Sequence, residues 1–250
     1  MLAANIDEVV TLLDGVIAEF RERRSTLAFF PALYRAVTLR VRTGIASAIF
    51  ADGPRMNRLD TAFANRYFIA LDEWRARGTA PRAWRAAFAT ETRPSTMILQ
   101  HLLLGMNAHI NFDLPVATIG VAQGTALAEL EVDFLAINDI LAAALDDVQD
   151  VLNEFSPMLD ILDRVGGSAD EALCTFSIVN AREEAWHEAT RLSGEGDDIR
   201  QRSIVSLDRR VAVLSDRIIL PGGPCGLAVD LIARTENEDV KAVTDALLKV

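Results

Sequence analysis

The segment HLLLGMNAHINFDLP, residues 101–115, constrains the fold more than any other part of the 250-residue chain. At the helical interval of about 100° per residue, His101, Gly105, His109 and Asp113 fall on one slowly drifting stripe. Gln100, Asn107 and Asn111 form a second stripe roughly opposite, and Leu, Ile, Met and Phe fill the rest. A helix that is apolar nearly all round belongs in the interior of a protein, so the remaining chain must supply a shell around it. Polar groups carried into an interior cost several kcal/mol each unless they are hydrogen-bonded. This segment therefore either carries a site or supports an internal polar network.

The shell is also helical. Residues 5–24 place Ile6, Val9, Val10, Leu13, Val16, Ile17 and Phe20 at spacings of mostly three and four. A second helix is expected over about 28–50, with Phe30, Leu33, Tyr34, Val37 and Val41 on one side, until Asp52-Gly53-Pro54 interrupts it. A third covers 56–77, and Pro81 opens a short one holding Trp84 and Phe88. The central helix runs from about Ser95 to Asn111, and Pro115 should end it, because the residue before a proline is pushed out of helical space, and can open the next helix with Asp113 at the junction. Further helices are expected over about 128–153, from Gly166-Gly167-Ser168 to Leu192, and over about 197–219, 225–235 and 237–249. The expectation is one all-α domain, 1–250, of eight to eleven helices.

Half the residues are hydrophobic, the net charge is −11 and the isoelectric point is near 4.8. Such a surface repels nucleic acid, whose binding rests on neutralising phosphates. The arginines of 21–24 and 35–42 are interleaved with helix formers and read as solvated faces. No apolar run reaches the roughly 18–20 residues of a membrane span. Cys174 and Cys225 lack CxxC spacing, and the chain opens without a basic and apolar leader pattern. A reduced, cytoplasmic protein without membrane partners is expected, its oligomeric state left open.

The third histidine, His187, follows Asn180 and Glu183 at helical steps. Measured from Leu173 and Phe176, all three fall on an inward face, with Trp186 near the rim of any pocket there. Imidazoles and carboxylates facing one another across an apolar cavity suit general acid–base chemistry. On this reading His109 is the principal acid or base, His101 or His187 its partner, and Asp113 or Glu183 orients an imidazole. Asn107, Asn111 and Asn180 hold substrate oxygens, and Tyr34, Arg42 and Asn138 are further pocket residues. The structural alternative has the histidines donating to backbone carbonyls at the helix break and Asp113 capping the next helix. A competing chemistry makes His101, His109, Asp113 and His187 ligands of one divalent ion such as zinc, as in a metal-dependent hydrolase. Asp146-Asp147-Val-Gln-Asp150 has DDxxD spacing but lies about 100–180° from its helix's apolar face, which marks a solvated acidic face. No phosphate-binding loop, dinucleotide fingerprint or GxSxG is present.

The central motif, with VDFLAINDIL at 132–141 and Ala181-Arg182-Glu-Glu-Ala-Trp186, resembles a bacterial family known as domain of unknown function 5995, over roughly 30–230. The resemblance implies a single helical domain and singles out Asn107, His109, Asn111 and Asp113. It implies no reaction. The function expected from the residues is that of a small enzyme without an organic cofactor. It would carry out dehydration, conjugate addition or ring closure on an apolar, polyketide-like substrate of bacterial natural-product biosynthesis. A small-molecule binding protein without catalysis is the non-enzymatic alternative.

Overall fold

The computed structural model describes residues 2–93, 95–122, 127–162, 177–236 and 239–250. Among them are eleven α-helices and no strands. They are α1 (Ile6–Glu22), α2 (Phe29–Ala46), α3 (Gly53–Arg77), α4 (Arg82–Phe88), α5 (Ile98–Met106) and α6 (Leu114–Val121). After these come α7 (Leu127–Phe155), α8 (Ile178–Ser193), α9 (Asp197–Ile219), α10 (Gly223–Ala233) and α11 (Val240–Leu247).

Local chemistry sets the ends. Asn5 caps α1 by accepting from the Glu8 N–H, and Asp52 caps α3 by accepting from that of Arg55, with Pro54 in the first turn. Gly78 closes α3 at φ 65°, a left-handed position that costs glycine little. The buried side of α1 is Ile6, Val9, Val10, Leu13, Ile17 and Phe20, as its periodicity predicts. The arginine-rich stretches lie on solvated faces, where Arg21 pairs with Asp245, Arg35 with Asp14 and Arg40 with Asp147.

Two expectations about the helices change. The central helix does not end before Pro115. It passes through a seven-residue π-helical segment, Asn107–Asp113, directly into α6, with Pro115 in that helix's first turn. A proline ring clashes with the carbonyl four residues earlier in a regular helix, and the wider π turn accommodates it without breaking the axis. The helix expected from Gly166 to Leu192 instead has an N-terminus at Ile178, where extended Ser177 accepts from the Asn180 N–H. Its expected start, with Leu173, Cys174 and Phe176, lies outside the described residues.

The buried apolar side chains form two clusters. The larger joins α1, α2 and α3 to α4, α5 and the C-terminal helices, while the smaller gathers Val41, Met56, Leu59, Ile110, Leu114, Phe134 and Ile178. Val37, Phe63 and Met106 pack against both. The central helix is held between α9 on one side and α2 and α3 on the other. On the α9 side Gln100 donates to the Ile218 carbonyl (2.7 Å), and Asn107 donates to the Val211 carbonyl (3.0 Å) and the Ser215 hydroxyl (2.9 Å). Among the described residues no single helix is long and apolar enough to cross a membrane.

Candidate functional site

The His109 stripe faces α2 and α3. His109 is buried, its ring stacked on Phe63 at 3.5 Å and set edge-on to Tyr34 at 4.5 Å. Its Nδ1 lies 3.2 Å from Asp113 Oδ2, one π turn further along the same segment. Asp113 is buried and also accepts from Trp84 Nε1 (2.7 Å) and Arg66 Nε (2.9 Å). With both oxygens occupied by donors, Asp113 acts as an acceptor and draws the imidazole proton to Nδ1. The other nitrogen, Nε2, is buried and has no partner. Burial pushes the His109 pKa down, against the opposing pull of Asp113, so the ring is neutral at pH 7 and its Nε2 carries a lone pair.

His109 lines a cavity at the junction of the two clusters, together with Tyr34, Val37, Asp60, Phe63, Met106 and Arg182, among apolar neighbours. The cavity volume is about 100 Å³. Two more polar atoms on this wall are buried without partners, the Tyr34 hydroxyl and Asp60 Oδ2. Burial raises the Asp60 carboxyl to about 7. The Tyr34 phenol is driven well above its usual range by burial and then by the Asp60 charge. Thr38 opposes that shift, although its own hydroxyl donates to the Tyr34 carbonyl (2.9 Å). Native proteins rarely leave buried polar groups unsatisfied, and here three do so on one cavity wall.

The other expected residues are placed differently. His101 is buried but belongs elsewhere: its Nδ1 meets the Thr90 hydroxyl at 3.0 Å, and it borders a separate, more polar cavity with Glu91 and Glu236. Burial lowers its pKa to about 4. Among the described residues neither His101 nor His109 bonds a backbone carbonyl, and Asp113 makes no side-chain cap to α6. Asn107 and Asn111 bond each other (2.8 Å), and Asn107 is committed to α9, so neither reaches the cavity wall. Asn180, Glu183 and His187 are exposed. Their expected inward face was counted from Leu173 and Phe176, and the new start at Ile178 resets the phase. The buried side of α8 is Ile178, Ala181, Arg182, Ala185, Ala189 and Leu192. Trp186 is half-buried against Phe134 at 4.8 Å, behind the cavity wall, and Asn138 accepts from Arg182 Nε at 2.7 Å. Arg42 is on the surface beside Asp7.

The four residues of the metal alternative are therefore not assembled, since His101 and His187 lie away from His109 and Asp113. Among the described residues no group of three or more His, Cys, Asp and Glu is placed to hold an ion. Asp147 and Asp150 are exposed, as a solvated acidic face requires.

Two cavity residues escaped the sequence reading. Asp60 sits four residues after Met56 and three before Phe63, a carboxylate on the apolar side of α3. Arg182 sits four after Ile178. Both signals were present, but each was a single charge in a helix rich in charges.

The stacked, carboxylate-oriented imidazole and the unpartnered acid beside an apolar void are groups that can accept and donate protons. The family model described as "Family of unknown function (DUF5995)" matches residues 6–221, and the chain belongs to that family. No curated protein and no solved structure matches the chain.

Proposed function

We propose that the cavity is the active site of a small acid–base enzyme that acts on an apolar, oxygenated molecule without an organic cofactor. The observation that carries this reading is that three residues lining one apolar cavity, His109, Tyr34 and Asp60, each hold a buried polar atom without a partner, Nε2, Oη and Oδ2 respectively. A neutral imidazole oriented through Nδ1 accepts a proton from carbon or oxygen at Nε2. Asp60, with a pKa near 7, holds a proton for delivery to a departing hydroxyl or a developing enolate. The Tyr34 hydroxyl donates to a substrate oxygen and remains a phenol throughout. For a dehydration the balance is simple: His109 takes the proton next to a carbonyl, Asp60 protonates the leaving hydroxyl, and water departs. The same pair serves conjugate addition or ring closure of a polyketide-like molecule, the substrate class that the apolar lining favours.

A substrate-independent probe tests this. The base-promoted ring opening of 5-nitrobenzisoxazole needs only an oriented base in an apolar pocket and is followed by its colour. The wild-type chain should accelerate it above buffer, and H109Q should remove about 90% or more of that acceleration while remaining folded, as expected when a positioned base contributes about 100-fold or more. A folded H109Q as fast as the wild type would overturn the catalytic assignment. The same apolar lining favours a second reading, a ligand carrier, which predicts probe binding without any His109-dependent rate.

A further inference from the structure

Arg182 of α8 lines the same cavity and is only 4% exposed. Its guanidinium is fixed in place by three contacts: Nε donates to Asn138 (2.7 Å), Nη2 donates to the Phe134 carbonyl (2.5 Å), and the group lies over the Phe134 ring at 4.4 Å. None of these neutralises it. Among the described residues Arg182 forms no ion pair, whereas the other deeply buried arginine, Arg55, meets Asp133 at 3.0 Å. Burial lowers the Arg182 pKa to about 9, and no neighbouring carboxylate opposes that shift. Asp60 shares the cavity, and among the described residues no ion pair joins it to Arg182. A buried, oriented and uncompensated guanidinium is costly to hold, and its planar fork suits a carboxylate.

We infer that Arg182 is the anchor for an anionic head group, and that the cavity takes an apolar carboxylic acid. The carboxylate docks on Arg182, and the apolar body extends toward His109, Tyr34 and Asp60. Asn138 and the Phe134 carbonyl act as positioning groups that fix the fork before the ligand arrives. This assignment rests on reading the cavity as the substrate site and adds the chemical class of the substrate.

The test is calorimetric binding of 3-phenylpropionate and of its neutral counterpart, 3-phenylpropan-1-ol, to the full chain at pH 7.5. The wild type should bind the carboxylate about tenfold or more tightly than the alcohol, the gain expected of a charge-assisted hydrogen bond. R182M should bring that ratio to about one by weakening the acid alone. Should R182M fail to fold, N138L keeps the guanidinium but frees its Nε, and it should reduce the ratio several-fold. Equal affinities in the wild type, or an unchanged preference in folded R182M, would overturn the inference. That failure would leave a His109-dependent ring opening untouched. Conversely, a carboxylate preference with no His109-dependent rate would sink the catalytic reading and leave the Arg182 anchor standing.

Discussion

Asp60 and His101 are buried groups whose folded-state protonation differs from that of the unfolded chain, and their effects on stability have opposite signs. Asp60 ionises near 3.8 when unfolded and near 7 in the fold. Between those values the native state keeps a proton the unfolded chain has released, so its contribution to stability falls as pH rises from about 4 to 7. At about 1.4 kcal/mol per pH decade, D60N should gain up to about 4 kcal/mol on the wild type between pH 4 and pH 8. His101 has its ordinary value at 6.5 and a folded value near 4. The unfolded chain takes up the proton first, so stability is lost as pH falls through that window, by up to about 3 kcal/mol relative to H101Q. Urea denaturation of the three proteins at pH 4.5, 6 and 8 checks both slopes, and parallel curves would contradict the burial assigned to either group. H101Q should leave the 5-nitrobenzisoxazole rate unchanged, because His101 is spent on Thr90 and borders a different cavity.

The central helix shows how much of an element can be read from sequence. Its burial, its two opposed stripes and the pairing of His109 with Asp113 along one stripe were legible, because an apolar segment has to explain each polar residue it carries. That one stripe fastens the helix to α9 while His109 of the other meets the cavity was not legible, since pattern alone does not distinguish a structural partner from an orphan. The π segment was hidden for a different reason: Pro115 signals a stop, and only the unbroken helical backbone from α5 through Asn107–Asp113 into α6 shows that the chain widened its turn instead. On α8 the phase error came from extending the helix back past Ser177, which moved Asn180, Glu183 and His187 to the wrong side. Gly105 marks the crossing of α5 over α2. A Cβ built there would lie 2.4 Å from the Phe30 ring, and Phe30 also lines the cavity. G105A must therefore push that ring toward the void or separate the helices. Overpacking of this kind costs about 1–3 kcal/mol, so a lower Tm and weaker 3-phenylpropan-1-ol binding are expected together. A G105A protein with unchanged Tm and binding would contradict the crossing.

At the scale of the whole molecule, two apolar clusters meet along Val37, Phe63 and Met106, and the cavity opens at that junction. The seam explains how polar atoms of α2, α3, the π segment and α8 reach one void although they lie far apart in the chain. No periodicity within one helix shows such a junction, which is why His109 and Tyr34 were legible singly and their meeting with Asp60 and Arg182 was not. The three histidines report from three places: His109 at the seam, His101 beside a separate cavity and His187 on the surface. ¹⁵N NMR of the histidine-labelled protein at pH 7, assigned with H101Q and H109Q and titrated with 3-phenylpropan-1-ol, therefore tests the central claim directly. The account predicts that His109 is neutral with its proton on Nδ1, and that its Nε2 resonance alone moves as the alcohol saturates the protein. An imidazolium at position 109, or an Nε2 resonance that stays still while the alcohol binds, would contradict it.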